Sequence, residues 1–560
     1  MREGLADATG SRKAVCRKNG GFRTGLLPYI FYLLTALFLM LLAGHSSAPH
    51  ANWESWGRQG KQYEELTEAV FSGQLSLREE PAAFLTEMDN PYDPRARGAA
   101  AREHDAYYLN DVAYYNGKYY TYFGLTPALL FFFPVRLLTG RILPSWLAVH
   151  VSALLCVPAA LFFVCGLRRR YAKAAGKGTV AVLSGLLLSV TGLPYLTAFC
   201  TTYSLTAVAG LMTVMTGLGC FLFAEEEDGT LRRGRLIAGS VLCALSVGCR
   251  ALFAISFLLL FPLFWDAIRR GTFFRREKEA AKNTACVLVP ALLIAAVLLA
   301  YNAMRFDNPF EFGFRYLLTT RDMMHGGKTF GEVMRSVFLL GFQGMHLDGV
   351  FPFLHTIELS RAERGNLFVE PMFGGFFGMH PLLLIVLLAG GGYFVWRAVQ
   401  KKQVSVALKT AGDENHAGEQ TEKITAAQER PSRKQMSAGL VGFCLTAVAL
   451  GMIILLTDAI LAGVSQRYES DFALFFFIPF AGIVFRLMQA GTVLAEGVAR
   501  GSIRANKKRL TARILPAALG ILLALELLLS AGTVLCDGRY YAMEQTNPAV
   551  YERIASWFSR

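Results

Sequence analysis

This sequence has little charge: Asp, Glu, Lys and Arg make up 18% of its 560 residues against 53% apolar ones, a balance that argues against a soluble multidomain enzyme. Paired cysteines are also missing. None of the ten cysteines stands in a Cys-x-x-Cys pair, and Cys156, Cys165, Cys220, Cys243, Cys286 and Cys444 lie inside apolar stretches, so neither a disulfide framework nor a zinc site is expected. His325, His346, His355 and His380 lack the His-x-x-x-His spacing of a metal site, and no metal or other cofactor is expected. No internal repeat stands out, which counts against the inverted-repeat transporter folds.

Long apolar runs are abundant, among them 26–43, 284–300 and 515–535. About 20 such residues cross the roughly 30 Å of a bilayer's hydrocarbon as a helix, so the expectation is an all-α polytopic membrane protein. About eleven transmembrane helices are expected, near 25–44, 143–167, 178–196, 203–223, 235–248, 251–266, 284–302, 376–396, 437–460, 472–490 and 514–535. The net charge of +14 comes from short basic clusters between these runs, which read as topology signals and not as a nucleic-acid surface. Residues 1–24 carry six Lys or Arg and lead into an apolar run followed by Ser46, Ser47 and Ala48. That pattern resembles a signal peptide, but the length of the run favours an uncleaved anchor.

Residues 124–140 decide the threading, because a span there would move every later loop to the other side. Pro127, Pro134 and Arg136 interrupt this short stretch, so a juxtamembrane helix is the better reading. Without that span the N-terminus and the loops 168–177, 225–235, 266–282, 397–434 and 486–513 are cytoplasmic and hold 35 of the 56 Lys and Arg, as the positive-inside rule requires. The expected plan is a cytoplasmic N-terminus (1–24), a transmembrane domain (25–535) with outer loops 45–142 and 303–375, and an outer tail (536–560). Residues 399–436, rich in Lys, Glu, Gln, Ala and Thr, read as a flexible cytoplasmic linker.

The first outer loop holds a short helix pattern over 63–73 and a run of tyrosines over 111–124. The plain reading of those tyrosines is an interfacial anchoring belt. In order along the chain, Tyr63 to Gly73, Gly117 to Pro134, Tyr301 to Gly313, Gln466 to Phe472 and Asn547-Pro548-x-x-Tyr551 resemble segments of the GT-C membrane glycosyltransferases. Within them the resemblance is to the family 39-like relatives of dolichyl- and undecaprenyl-phosphate sugar transferases. The resemblance implies a GT-C-like bundle with juxtamembrane helices in a long first outer loop. It implies sugar transfer from a polyprenyl-phosphate donor to a lipid, glycan or protein acceptor on the outer face of the cell membrane. One departure matters: the family's acidic pair before the first-loop helix is replaced by Gln59-Gly60.

Such chemistry needs a carboxylate near the attacking hydroxyl and positive charge near the leaving phosphate. Asp111 is the first candidate carboxylate, followed by Glu54 and Asp89. Arg250 and Arg467, set beside apolar segments, are the first candidate cations, since an Arg at membrane depth requires a partner or an anionic ligand. Lys118, Tyr119, Tyr120, Arg305 and Tyr468 complete the candidate substrate-binding set. The plain alternatives are a snorkelling Arg or a structural ion pair, with Asp458, Glu469 and Asp471 as partners for Arg467. Glu526, alone in the last apolar run, reads as a carboxyl hydrogen-bonded to a neighbouring helix. Two other functions fit the same composition: a flippase or transporter of a lipid-linked substrate, and a noncatalytic envelope-assembly protein.

Overall fold

The computed structural model describes residues 61–365, 367–393, 431–498, 505–535 and 543–559, with Ile30, 33–38, Leu41 and Trp396. Glu54, the Gln59-Gly60 departure, the N-terminal segment 1–24 and the body of the 399–436 linker lie outside the described residues. Long helices dominate what is described. Six are long and apolar enough to cross a membrane: Ser145–Tyr171, Thr202–Leu222, Lys278–Phe306, Gly439–Leu461, Gln466–Met488 and Ala517–Leu535. The chain is therefore a multi-pass helical membrane protein. Shorter apolar helices fill in between, and two expected spans are irregular. The 178–196 stretch divides into Lys177–Val190 and Leu193–Ala198, because Gly192 takes a left-handed backbone with φ 67° that a continuing helix cannot accommodate. The 251–266 stretch starts as a tight 3-10 helix over Ala251–Leu259, for which its sequence offers no explanation.

Small side chains set how closely the spans approach. A Cβ on Gly217 would stand 2.6 Å from Cys243 Sγ and 3.1 Å from the Gly239 carbonyl oxygen, so Thr202–Leu222 and Arg233–Val247 meet almost backbone to backbone. Large side chains fill the remaining space. Phe472, Phe475, Phe476, Phe477 and Phe480, all buried on the helix Glu469–Val498, form the centre of the main core.

The first loop builds a second core at one end of the bundle. Its helix Gln62–Phe71 buries Tyr63, Leu66 and Ala69. The Tyr63 ring stacks on Phe132 at 5.6 Å and its hydroxyl donates to the Gly124 carbonyl at 2.8 Å. Ala128–Thr139, against which this helix rests, has twelve residues and spans about 18 Å at 1.5 Å per residue, too short to cross hydrocarbon. The tyrosine run folds into an antiparallel hairpin, Ala113–Tyr115 with Lys118–Tyr120. Asn116 and Gly117 turn it with φ 48° and 71°, the left-handed pair that a two-residue hairpin turn requires.

Candidate active site

The second long loop continues this hairpin edge, and that pairing creates the site. Asp111 N–H donates to the Leu318 carbonyl at 2.7 Å, Leu318 N–H to Val112 at 2.9 Å and Tyr114 N–H to Tyr316 at 2.9 Å. Arg97, fully buried, clamps the next residue by donating to the Thr319 carbonyl at 2.6 Å and to Pro91 at 2.8 Å. Residues 208 positions apart thus become neighbours: Thr319 Oγ1 donates to Asp111 Oδ1 at 2.9 Å.

Asp111 borders a cavity of about 1020 Å³. Its wall is aromatic on several sides, with Tyr107, Tyr122, Tyr195, Tyr203 and Tyr468, and polar at Asp111, Thr319, Arg321, Lys328, Glu370 and Arg467. The volume lies in the range of small-molecule pockets, and apolar walls with a few placed polar groups are their usual chemistry. Asp111 holds φ 55°, a left-handed conformation that Asp tolerates better than most residues. The Gln62 amide fixes it from behind by donating to the Asp111 carbonyl at 2.9 Å. Desolvation raises the Asp111 carboxyl above the ordinary carboxylate range, opposed in part by the Thr319 hydrogen bond and the positive charge of Arg467. A carboxylate raised in this way is a stronger base once ionised.

Arg467 faces the same cavity in a rigid setting. Its Nη1 lies 2.6 Å from Glu370 Oε2, and that oxygen also accepts from Ser465 Oγ at 2.6 Å. The guanidinium lies 4.0 Å from the Tyr203 ring centre and 5.2 Å from that of Tyr468, a cation–π setting. Its Nε is buried with no hydrogen-bond partner among the described residues. Lys328 supplies a second cation. Its ammonium donates to the Ala459 carbonyl at 2.6 Å and to that of Ala462, and burial pulls its pKa down to about 8. Arg321 and Glu332 line the wall beside it.

Of the residues singled out in the sequence, Asp111, Arg467 and Tyr468 line the cavity. The others are placed elsewhere. Arg250 pairs with Asp471 at 3.2 Å. Arg305 is buried behind the first loop, donating to the Thr121 carbonyl and to Asn302 Oδ1 at 2.8 Å, and lies 3.9 Å from the Tyr301 ring centre. Tyr119 and Tyr120 pack inward: the Tyr119 hydroxyl accepts from Leu109 N–H at 3.4 Å, and Tyr120 meets Phe306 at 5.5 Å. Lys118 and Asp89 are exposed and line no part of the cavity. The residues not anticipated are Thr319, Arg321, Lys328, Glu370, Tyr122 and Tyr203. All but Tyr122 and Tyr203 come from the second long loop, whose composition gives no period or motif to single them out.

No protein-family model and no characterised protein matches this chain. Two solved structures are similar to it. The apo oligosaccharyltransferase of Archaeoglobus fulgidus shares 13% identity over 97% of this chain and 60% of its own, with a TM-score of 0.44. ArnT from Cupriavidus metallidurans, bound to undecaprenyl phosphate, shares 13% identity over 90% of this chain and 75% of its own, with a TM-score of 0.39. The chain thus spans about 60% of the length of that oligosaccharyltransferase. These are likenesses of helical arrangement, and they assign no residue a role.

Proposed function

We propose that the chain is a membrane glycosyltransferase that moves a sugar from a polyprenyl-phosphate donor to a hydroxyl acceptor at the outer face of the membrane. The observation that carries this reading is one cavity that holds a desolvated carboxylate, Asp111, together with three cations, Arg467, Lys328 and Arg321. The sequence resemblance to GT-C glycosyltransferases points the same way.

The chemistry fits the arrangement. The acceptor hydroxyl attacks the anomeric carbon as Asp111 takes its proton, and Thr319 holds the carboxylate in orientation. The bond from the anomeric carbon to the phosphate oxygen breaks, its electron pair stays on the lipid phosphate, and the cations stabilise the growing negative charge. Tyr107, Tyr122, Tyr203 and Tyr468 offer ring faces for a sugar. Lys328 and Arg321 are the better phosphate ligands in this scheme, because Glu370 already neutralises Arg467. The acceptor stays open among lipid, glycan and protein.

The test is an assay on membranes containing the chain, supplied with polyprenyl-phosphate-linked sugars, that follows release of free polyprenyl phosphate. Turnover by the native chain and its loss in Asp111→Asn is the expected result. Turnover unchanged in that variant would remove Asp111 from the mechanism. Movement of the lipid-linked sugar across the bilayer without release of phosphate would favour a flippase.

A further inference from the structure

Glu526 takes no part in the scheme above, yet it occupies a costly position. It lies nine residues from each end of the span Ala517–Leu535, about 13 Å from either end at 1.5 Å per residue, where a carboxyl group without a partner is expensive. Leu519, Leu523, Glu526, Ser530 and Thr533 are all buried and recur at intervals of three and four, so Glu526 faces the protein interior. There His380 Nδ1 lies 2.8 Å from Glu526 Oε2, with the two side chains 8% and 5% exposed.

His380 ends a segment whose beginning is part of the cavity wall. Glu370 N–H donates to the Val464 carbonyl at 2.9 Å, and Phe373 N–H donates to Gln466 Oε1 at 2.9 Å, which ties this start to the residues just before Arg467. In the middle, Gly375 N–H donates to the Gln343 carbonyl at 2.8 Å, and a Cβ on Gly378 would lie 1.8 Å from that same oxygen. Residues 370–380 are thus a close-packed strap. One end carries the carboxylate that orients Arg467, and the other is held by the last helix through a buried polar pair.

We infer that Glu526 and His380 are positioning residues: they pin the strap 370–380 to the last helix and through it hold Glu370 and Arg467 in place at the cavity. Neither touches the cavity, and both act through the strap. The role in turnover rests on the function proposed above, whereas the pinning itself does not.

The experiment compares the full chain with Glu526→Leu and Glu526→Gln by hydrogen exchange and by the polyprenyl-phosphate release assay. Glu526→Leu is expected to raise exchange of the 370–380 amides by about tenfold, with the helix Ser145–Tyr171 unchanged. Glu526→Gln, which keeps the shape and a polar atom against the imidazole, is expected to stay within about threefold of the native chain. In turnover, Glu526→Leu is expected to lower kcat by about tenfold while the donor KM moves less than about twofold, as misplacement of a group acting in the transition state would. Unchanged exchange in Glu526→Leu, a rise spread evenly over the chain, or Glu526→Gln as loose as Glu526→Leu would each overturn the pinning. If the native chain releases no phosphate, the proposed reaction fails, and the exchange result still decides the strap.

Discussion

The two ends of the bundle use charge in opposite ways. At the end where the helix Ser145–Tyr171 finishes, the acids of Glu225-Glu226-Glu227 are matched at close range. Arg170 and Arg270 reach Glu225 at 2.6 Å, Arg169 reaches Glu226 at 2.6 Å, and Lys173 reaches Glu227 at 2.5 Å. At the other end, about 40 Å away along that 27-residue helix, charges are sunk deeper and matched less completely. Asp458, Glu469 and Asp471 are buried there, and of the three only Asp471 has a cation within 4 Å among the described residues, Arg250 at 3.2 Å. Matched charge in contact with water fixes loops at little gain or loss. Buried charge that is left partly unmet costs stability and survives where a ligand or a reaction uses it.

The sharpest way to break this comparison is at Asp111. Asp111→Asn keeps the shape and the Thr319 contact but removes the base, so turnover is expected to fall at least about 100-fold with the unfolding temperature little changed. The pH profile adds the sign. A base works only when ionised, and burial raises the Asp111 pKa, so activity is expected to disappear on the acid side at a pH above the ordinary carboxylate range. An acid limb within that ordinary range would assign the base to another group.

Next in size is the pair that anchors Arg467. Glu370→Gln leaves a mostly buried guanidinium without its counter-charge, and about 3 kcal/mol of stability is expected to be lost, read as a lower unfolding midpoint in detergent. An unchanged midpoint would mean that Arg467 turns toward water and is not held as described.

How much of this was legible in the sequence follows from how each feature is encoded. The long spans are local and apolar, so their positions could be read from composition, as could the shortness of the helix in Pro-interrupted 124–140. Asp111 and Arg467 stand out in the sequence because a charge flanked by aromatic or apolar residues in a turn has few plain explanations, and both line the cavity. Their partners were not: Thr319 is 208 residues from Asp111 and Glu370 is 97 residues from Arg467, and nothing local marks either. The tyrosine run misled in detail, since the hairpin buries Tyr119 and Tyr120 and it is Tyr122, beyond the second strand, that reaches the cavity. Arg250 and Arg305 show the same limit: an Arg beside an apolar run needs a partner, and only the fold reveals that each finds one inside the protein.

A smaller effect distinguishes Lys328 from its arginine neighbours. With its pKa drawn down to about 8, Lys328 is charged below that pH and loses its proton above it. If it holds the donor phosphate, donor binding is expected to weaken as pH rises through about 8, by up to tenfold per unit. Lys328→Arg, always protonated, is expected to flatten that limb. A limb that persists in Lys328→Arg would detach Lys328 from the phosphate.

The smallest effect is expected at the matched end, and it is the control that gives the others meaning. Lys173 and Glu227 are well exposed, so Lys173→Gln removes an ion pair that water and salt already screen. Neither the unfolding midpoint nor turnover is expected to move outside experimental scatter. A marked loss of turnover in Lys173→Gln would mean that this end is coupled to the cavity through the bundle, and the division of labour between the two ends would have to be abandoned.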